Sequence, residues 1–117
     1  MERLSTTIQK LYQTYTPELA RKKVSFNLDF PDTTLKIPKD SMVPKLLRKE
    51  LAAAAKRTLK GSIDLTVKSD KIILKDTGTP LAKSAIEKLN AENISAKSRV
   101  GFGNEIVIPL DSGRETL

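Results

Sequence analysis

Histidine is absent from this 117-residue chain, and so are cysteine and tryptophan. Without histidine there is no Ser-His-Asp triad, no imidazole metal ligand and no imidazole to carry a phosphoryl group. Without cysteine there is no disulfide, no thiolate zinc site and no thiol nucleophile. The aromatics Tyr12, Tyr15, Phe26, Phe30 and Phe102 are too few and too scattered to pave a stacking platform for single-stranded nucleic acid. No apolar run approaches the roughly 20 residues of a membrane-spanning helix. Met1-Glu2-Arg3 leads into a polar, amphipathic segment rather than a secretory signal. Together these absences give a cytoplasmic expectation.

What is present is the balance of a globular domain, with 38% hydrophobic and 30% charged residues. The length suits one two-layer core, so a single domain is expected over residues 1–110, with a polar tail at 111–117. The net charge is +7. Its small clusters, Arg21-Lys22-Lys23, Arg48-Lys49 and Lys56-Arg57, read as solvated helix faces or as a surface for an acidic partner. Charge alone is a weak signal for nucleic acid, which is not the expected partner.

Periodicity marks the elements. Leu4, Ile8, Leu11, Tyr12, Tyr15 and Leu19 form the apolar stripe of a helix to about Arg21, capped by Ser5 or Thr6. Thr16-Pro17-Glu18 should kink or break it. Val24 to Phe30 alternates as a strand, Pro31-Asp32 turns, and Thr34 to Ile37 is a short second strand. A second helix, capped by Asp40 or Ser41 and with Pro44 in its first turn, runs on through Ala52-Ala53-Ala54-Ala55, and Gly61 ends it. Glu50 lies at the margin of its apolar stripe, where a carboxylate is usually exposed. Ser62 to Lys68 and Lys71 to Lys75 form a hairpin around Ser69-Asp70. Leu81 to about Ala91 is a third helix. Asn93 to Ser98 and Asn104 to Ile108 are strands around the glycine turn Arg99-Val100-Gly101-Phe102-Gly103. The fold class is α+β: a two-layer sandwich with a mixed, mostly antiparallel sheet and three helices on one face.

One stretch stands out, Lys71-Ile72-Ile73-Leu74-Lys75-Asp76-Thr77-Gly78-Thr79-Pro80. Asp76 falls at a strand end, Gly78 lets the chain bend, and Pro80 stops the strand. Such a corner either places an acceptor at the mouth of a pocket or simply makes a turn.

In ordered sequence, "KKVSFNLDFPD", "KLLRKELAAAAKRTLKGSIDLTV", "KIILKDTGTPL" and "LAKSAIEKLNAENISAKSRVGFGNEIVIPL" resemble the ATP-binding domain of two-component sensor histidine kinases. The resemblance spans Leu4 to Leu110 and implies the Bergerat ATPase fold shared with gyrase, the heat-shock chaperone ATPase and mismatch-repair ATPases. It makes Asp76 the counterpart of the family's adenine-reading Asp and Gly78 that of the following glycine. In the family's Asn box it places Glu50 at the first position and Arg57 at the closing basic one. The magnesium-holding Asn is replaced by Ala54, whose methyl cannot ligate a metal.

The family's mobile lid is deleted, because Pro80-Leu81-Ala82-Lys83 enters the third helix almost at once. Gly101-Phe102-Gly103 opens a strand rather than a helix, so it matches the hairpin glycines and not a phosphate loop. The implied function is a degenerate ATPase-like domain with no catalytic or metal residue and no expected cofactor. Such a domain would dock a response-regulator-like protein or a His-bearing helical dimerisation domain. The alternative is an active ATP-binding kinase domain that uses ATP and magnesium, with Lys45 or Lys49 partly replacing the lost metal.

Overall fold

The structure is a computed structural model that describes residues 2–31 and 34–110. Its elements are β1 (Glu2–Arg3), α1 (Leu4–Arg21), β2 (Val24–Asp29), β3 (Lys36–Ile37), α2 (Val43–Arg57), β4 (Gly61–Val67), β5 (Lys71–Asp76), α3 (Lys83–Ala91), β6 (Ser95–Arg99) and β7 (Gly103–Pro109). Five strands form one sheet in the order β2-β4-β5-β7-β6. Only the β2–β4 pairing is parallel; the other three are antiparallel. The tail at 111–117 and the Asp32 half of the Pro31-Asp32 turn lie outside the described residues.

The alternation of β4, β5 and β7 fixes which sheet face is buried. Ile63, Leu65 and Val67, then Ile72 and Leu74, then Ile106 and Ile108 point to the helices and are almost wholly buried. Leu4, Ile8, Leu11 and Leu19 of α1 and Leu47, Leu51, Ala54 and Ala55 of α2 close the core from above. Each large aliphatic removed from water in this way contributes about 1.5–3 kcal/mol. The three helices share that face: α1 packs on β2, α2 reaches β7, and α3 lies on β6. The opposite face is a polar ladder in which Asn27, Asp64, Lys75, Glu105 and Lys97 are successive cross-strand partners. Asn27 donates to Asp64 at 2.7 Å, and Lys75 lies 3.9 Å from Glu105.

Several local expectations give way to the structure. α1 runs unbroken through Pro17. The proline removes only the donor to the Gln13 carbonyl, which is on the exposed side, while Thr16 donates its hydroxyl to the Tyr12 carbonyl. No side chain caps α1; the Leu4 N–H instead donates to the Leu35 carbonyl at 3.0 Å. β3 does not join the main sheet but pairs with β1. Ser41 accepts from the Val43 N–H just ahead of α2. Gly61 does not end α2, which closes at Arg57 with Thr58 as its C-cap. Gly61 opens β4 at φ +112°, where a Cβ would lie 2.0 Å from Thr77 Oγ1.

Candidate functional site

The site is assembled where three elements meet: the last turn of α2, the end of β5 and the start of β7. Asp76, Asn104 and Ser98 are cross-strand neighbours on the helix-covered face, in line with Ile63. Pleat parity therefore turns a row that begins with an aliphatic residue into a polar trio beneath Arg57.

The Asp76 side chain is fully buried, and its carboxylate is saturated from within the chain. Arg57 reaches it with Nη2 to Oδ2 at 2.6 Å and Nε to Oδ2 at 3.1 Å. The Gly78 N–H and Asn104 Nδ2 both donate to Oδ1, each at 2.9 Å. These are charge-assisted and backbone bonds of the kind that fix a buried carboxylate in one orientation.

Asn104 extends the network. Its Nδ2 also donates to the Thr79 carbonyl at 2.9 Å, and its Oδ1 accepts from the Leu81 N–H at 3.2 Å and from the Ser98 hydroxyl. Leu81 also donates to Ser98 Oγ at 2.9 Å. The short segment from Thr79 to Ala82 is thus strapped to the sheet end before α3 begins.

Gly78 is required for close approach rather than for a left-handed backbone. A Cβ there would lie 2.6 Å from the Arg57 carbonyl oxygen and 2.8 Å from Thr58 Oγ1. Gly103, at φ +89°, would put a Cβ 2.3 Å from the Asp76 carbonyl oxygen. Thr58 Oγ1 is buried beside this crossing with no hydrogen-bond partner among the described residues.

Of the residues singled out from sequence, Arg57, Asp76 and Gly78 come together. Glu50 does not join them; it sits about two turns back along α2. Contrary to the exposed expectation it is only 5% accessible, because its position turns towards the core beside Leu47, Leu51 and Ala54. Burial raises its pKa above the ordinary 4.5; Lys49 and Arg57 oppose that rise and Glu92 adds to it. Ala54 is wholly buried, its methyl part of the core.

Asn104, Ser98 and Thr79 were not anticipated. Parity was the available signal for Asn104, since it lies two and four residues before the inward Ile106 and Ile108. Gly101-Phe102-Gly103 forms the tip of the β6–β7 hairpin, with the Phe102 N–H bonded to the Arg99 carbonyl at 3.0 Å, as its strand context required.

Solved structures of similar fold supply the comparison. The nucleotide-free catalytic domain of histidine kinase ThkA superposes with a TM-score of 0.73 at 15% identity, covering 92% of each chain. The fold is that of histidine kinase ATPase domains. The cytoplasmic segment of histidine kinase QseC gives a TM-score of 0.66 at 19% identity, over 92% of this chain and 74% of that one. Full-length ShkA, solved in complex with AMPPNP, gives 0.75 at 13% identity over 97% of this chain and 31% of its own. No family model and no curated protein sequence matches the chain. Among the described residues no helix is long and apolar enough to cross a membrane.

Proposed function

We propose that this chain is a degenerate histidine kinase ATPase-like domain. In this reading it has given up ATP binding in the family's manner and serves as a protein-docking or regulatory module in two-component signalling. The observation that carries the reading is the occupancy of Asp76. A carboxylate that is to accept from an adenine amino group needs a free lone pair facing a pocket. Here its oxygens already take Arg57, Gly78 and Asn104, and the side chain is fully buried. ATP with magnesium does not fit the residues present: Ala54 offers a buried methyl where a ligating oxygen is needed, and the strap from Thr79 to Ala82 is pinned by Asn104 and Ser98. We therefore derive no phosphoryl-transfer step and assign no catalytic residue or cofactor.

The partner in this reading is a response-regulator-like protein or a His-bearing helical dimerisation domain. The partner class is supported by the ThkA structure solved with the response regulator TrrA, which has a TM-score of 0.64 at 16% identity and covers 92% of this chain and 40% of that one. A second reading, an ATP-binding kinase domain, draws on Glu50. Its carboxyl is buried, and that burial raises its pKa.

Thermal unfolding with ATP and with ADP, each with and without magnesium, separates the two. The degenerate reading expects no nucleotide-dependent shift. A magnesium-dependent stabilisation that disappears in Asp76→Asn would overturn it in favour of the kinase reading.

A further inference from the structure

Helix α2 carries five cations, Lys45, Arg48, Lys49, Lys56 and Arg57, against one carboxylate, Glu50. The structure sorts these by face. Glu50 turns inward and Arg57 is consumed by Asp76, so the solvent side keeps Lys45, Arg48, Lys49 and Lys56 with no acidic residue among them. Among the described residues Lys49 lies 3.8 Å from Glu92, a loose contact. Lys45, Lys49, Ala52 and Lys56 follow one another at three- and four-residue steps, a ridge about 16 Å long on the helix surface.

The ridge is not purely ionic. Ala52 and Ala53 are both exposed and leave its middle flat. Met42 at one end of the helix and Leu59 beyond the other are 55% and 70% exposed, two of the four large apolar side chains exposed among the described residues. Small residues let a second helix come close, while the long lysines reach around it.

We infer that the solvent face of α2 is a docking surface for an acidic amphipathic helix, whose small apolar seam lies on Ala52 and Ala53 and whose carboxylates meet the surrounding lysines. Charge complementarity selects an acidic partner. The apolar middle and ends select protein over nucleic acid, because a phosphate backbone has no use for Met42, Leu59 or a bare alanine pair. The inference rests on the reading of this domain as a docking module and gives that module a surface and a partner chemistry.

The test is an amide-resolved NMR titration of the whole chain at physiological salt. The probe is a synthetic helix of about 20 residues with glutamates flanking a leucine-alanine seam. Shifts should cluster on residues 42–60. The triple variant Lys45→Glu/Lys49→Glu/Lys56→Glu should weaken binding at least about tenfold, and Ala52→Leu, which changes no charge, should weaken it measurably. Lys97→Glu/Arg99→Glu, at the far sheet edge, should leave binding unchanged.

No binding, shifts mapping elsewhere, indifference to the triple reversal, or tighter binding of a DNA duplex than of the peptide would each overturn the proposal. These results are independent of nucleotide. A chain that bound ADP through Asp76 would refute the degenerate reading with the α2 titration untouched. A chain that bound neither would refute the docking surface alone.

Discussion

The Arg57–Asp76 pair gives the sharpest energetic prediction. Exposed ion pairs contribute about 0–1 kcal/mol. This one is different in kind: the Arg57 side chain is 12% exposed and that of Asp76 is 0% exposed, with Nη2 and Oδ2 2.6 Å apart. Removing one member of such a pair leaves a desolvated charge behind, at a cost of about 3–5 kcal/mol. Arg57→Met leaves the Asp76 carboxylate with only its bonds from Gly78 and Asn104. Asp76→Ala is predicted to cost at least as much, because it strands the Gly78 N–H and Asn104 Nδ2 together, and each buried unpaired donor costs about 1–3 kcal/mol.

The assay is urea unfolding of the wild type, both single variants and the double variant. With slopes of about 1–3 kcal/mol/M for a domain of this size, each single change should lower the midpoint by roughly 1–5 M. The double variant should cost less than the sum of the singles, leaving a coupling of about 2 kcal/mol, because removal of both partners leaves no stranded charge. Two singles that each cost under about 1 kcal/mol and add within error would show that the pair is surface-like. The account of Asp76 as an internally saturated carboxylate would then fail.

Three further outcomes follow from the same geometry. Gly103→Ala should destabilise clearly more than Gly101→Ala in parallel urea melts. Both have positive φ, but a Cβ at Gly103 meets the Asp76 carbonyl at 2.3 Å, whereas at Gly101 it meets nothing within 4 Å. Equal costs would mean that the Asp76 backbone yields freely. Thr58→Val should leave stability unchanged or raise it by about 1 kcal/mol, since it removes a buried hydroxyl with no partner among the described residues; a loss of similar size would show that the hydroxyl is satisfied in solution. Glu50→Gln should flatten the pH dependence of stability. A raised folded-state pKa means that the native state holds its proton longer than the unfolded chain, so wild-type stability falls as pH rises from about 4.5. The variant should therefore gain on the wild type towards neutral pH and match it below that value, with about 1.4 kcal/mol for each unit of upward shift. A gap that stays constant with pH would refute the burial of a titrating carboxyl.

Much of this fold could be read from period alone. Alternation placed β2, β4, β5 and β7, and the helical stripes placed α1 and α2, because in each the inward residues are aliphatic and the sheet face they build is continuous. What escaped were features decided by contacts between distant segments. Nothing local distinguishes Gly61 as a C-cap from Gly61 as a strand opening pressed on Thr77. Nothing local says that β3 will leave the main sheet for β1. The expectation for Glu50 failed because its stripe-margin position turns inward with Leu47, Leu51 and Ala54, and it is 5% exposed.

The candidate site shows the same division more sharply. Asp76 and Gly78 were visible as a corner, and Arg57 entered only as the resemblance's closing basic position. Their sequence separation gave no means of deciding whether the guanidinium faces solvent, a ligand or the carboxylate. That decision comes from Asn104. By donating to both Asp76 Oδ1 and the Thr79 carbonyl, it draws the strap and the carboxylate together under the last turn of α2. Gly78 completes the closure, because only a residue without a side chain lets the strap pass against the Arg57 carbonyl. An acceptor at the mouth of a pocket would keep one oxygen free and its flanking segment movable. Here both carboxylate oxygens accept from the chain, and the flanking strap is bonded to Asn104 and Ser98. In the degenerate reading proposed above, Asp76 is a structural knot whose bonds tie the strap to the last turn of α2.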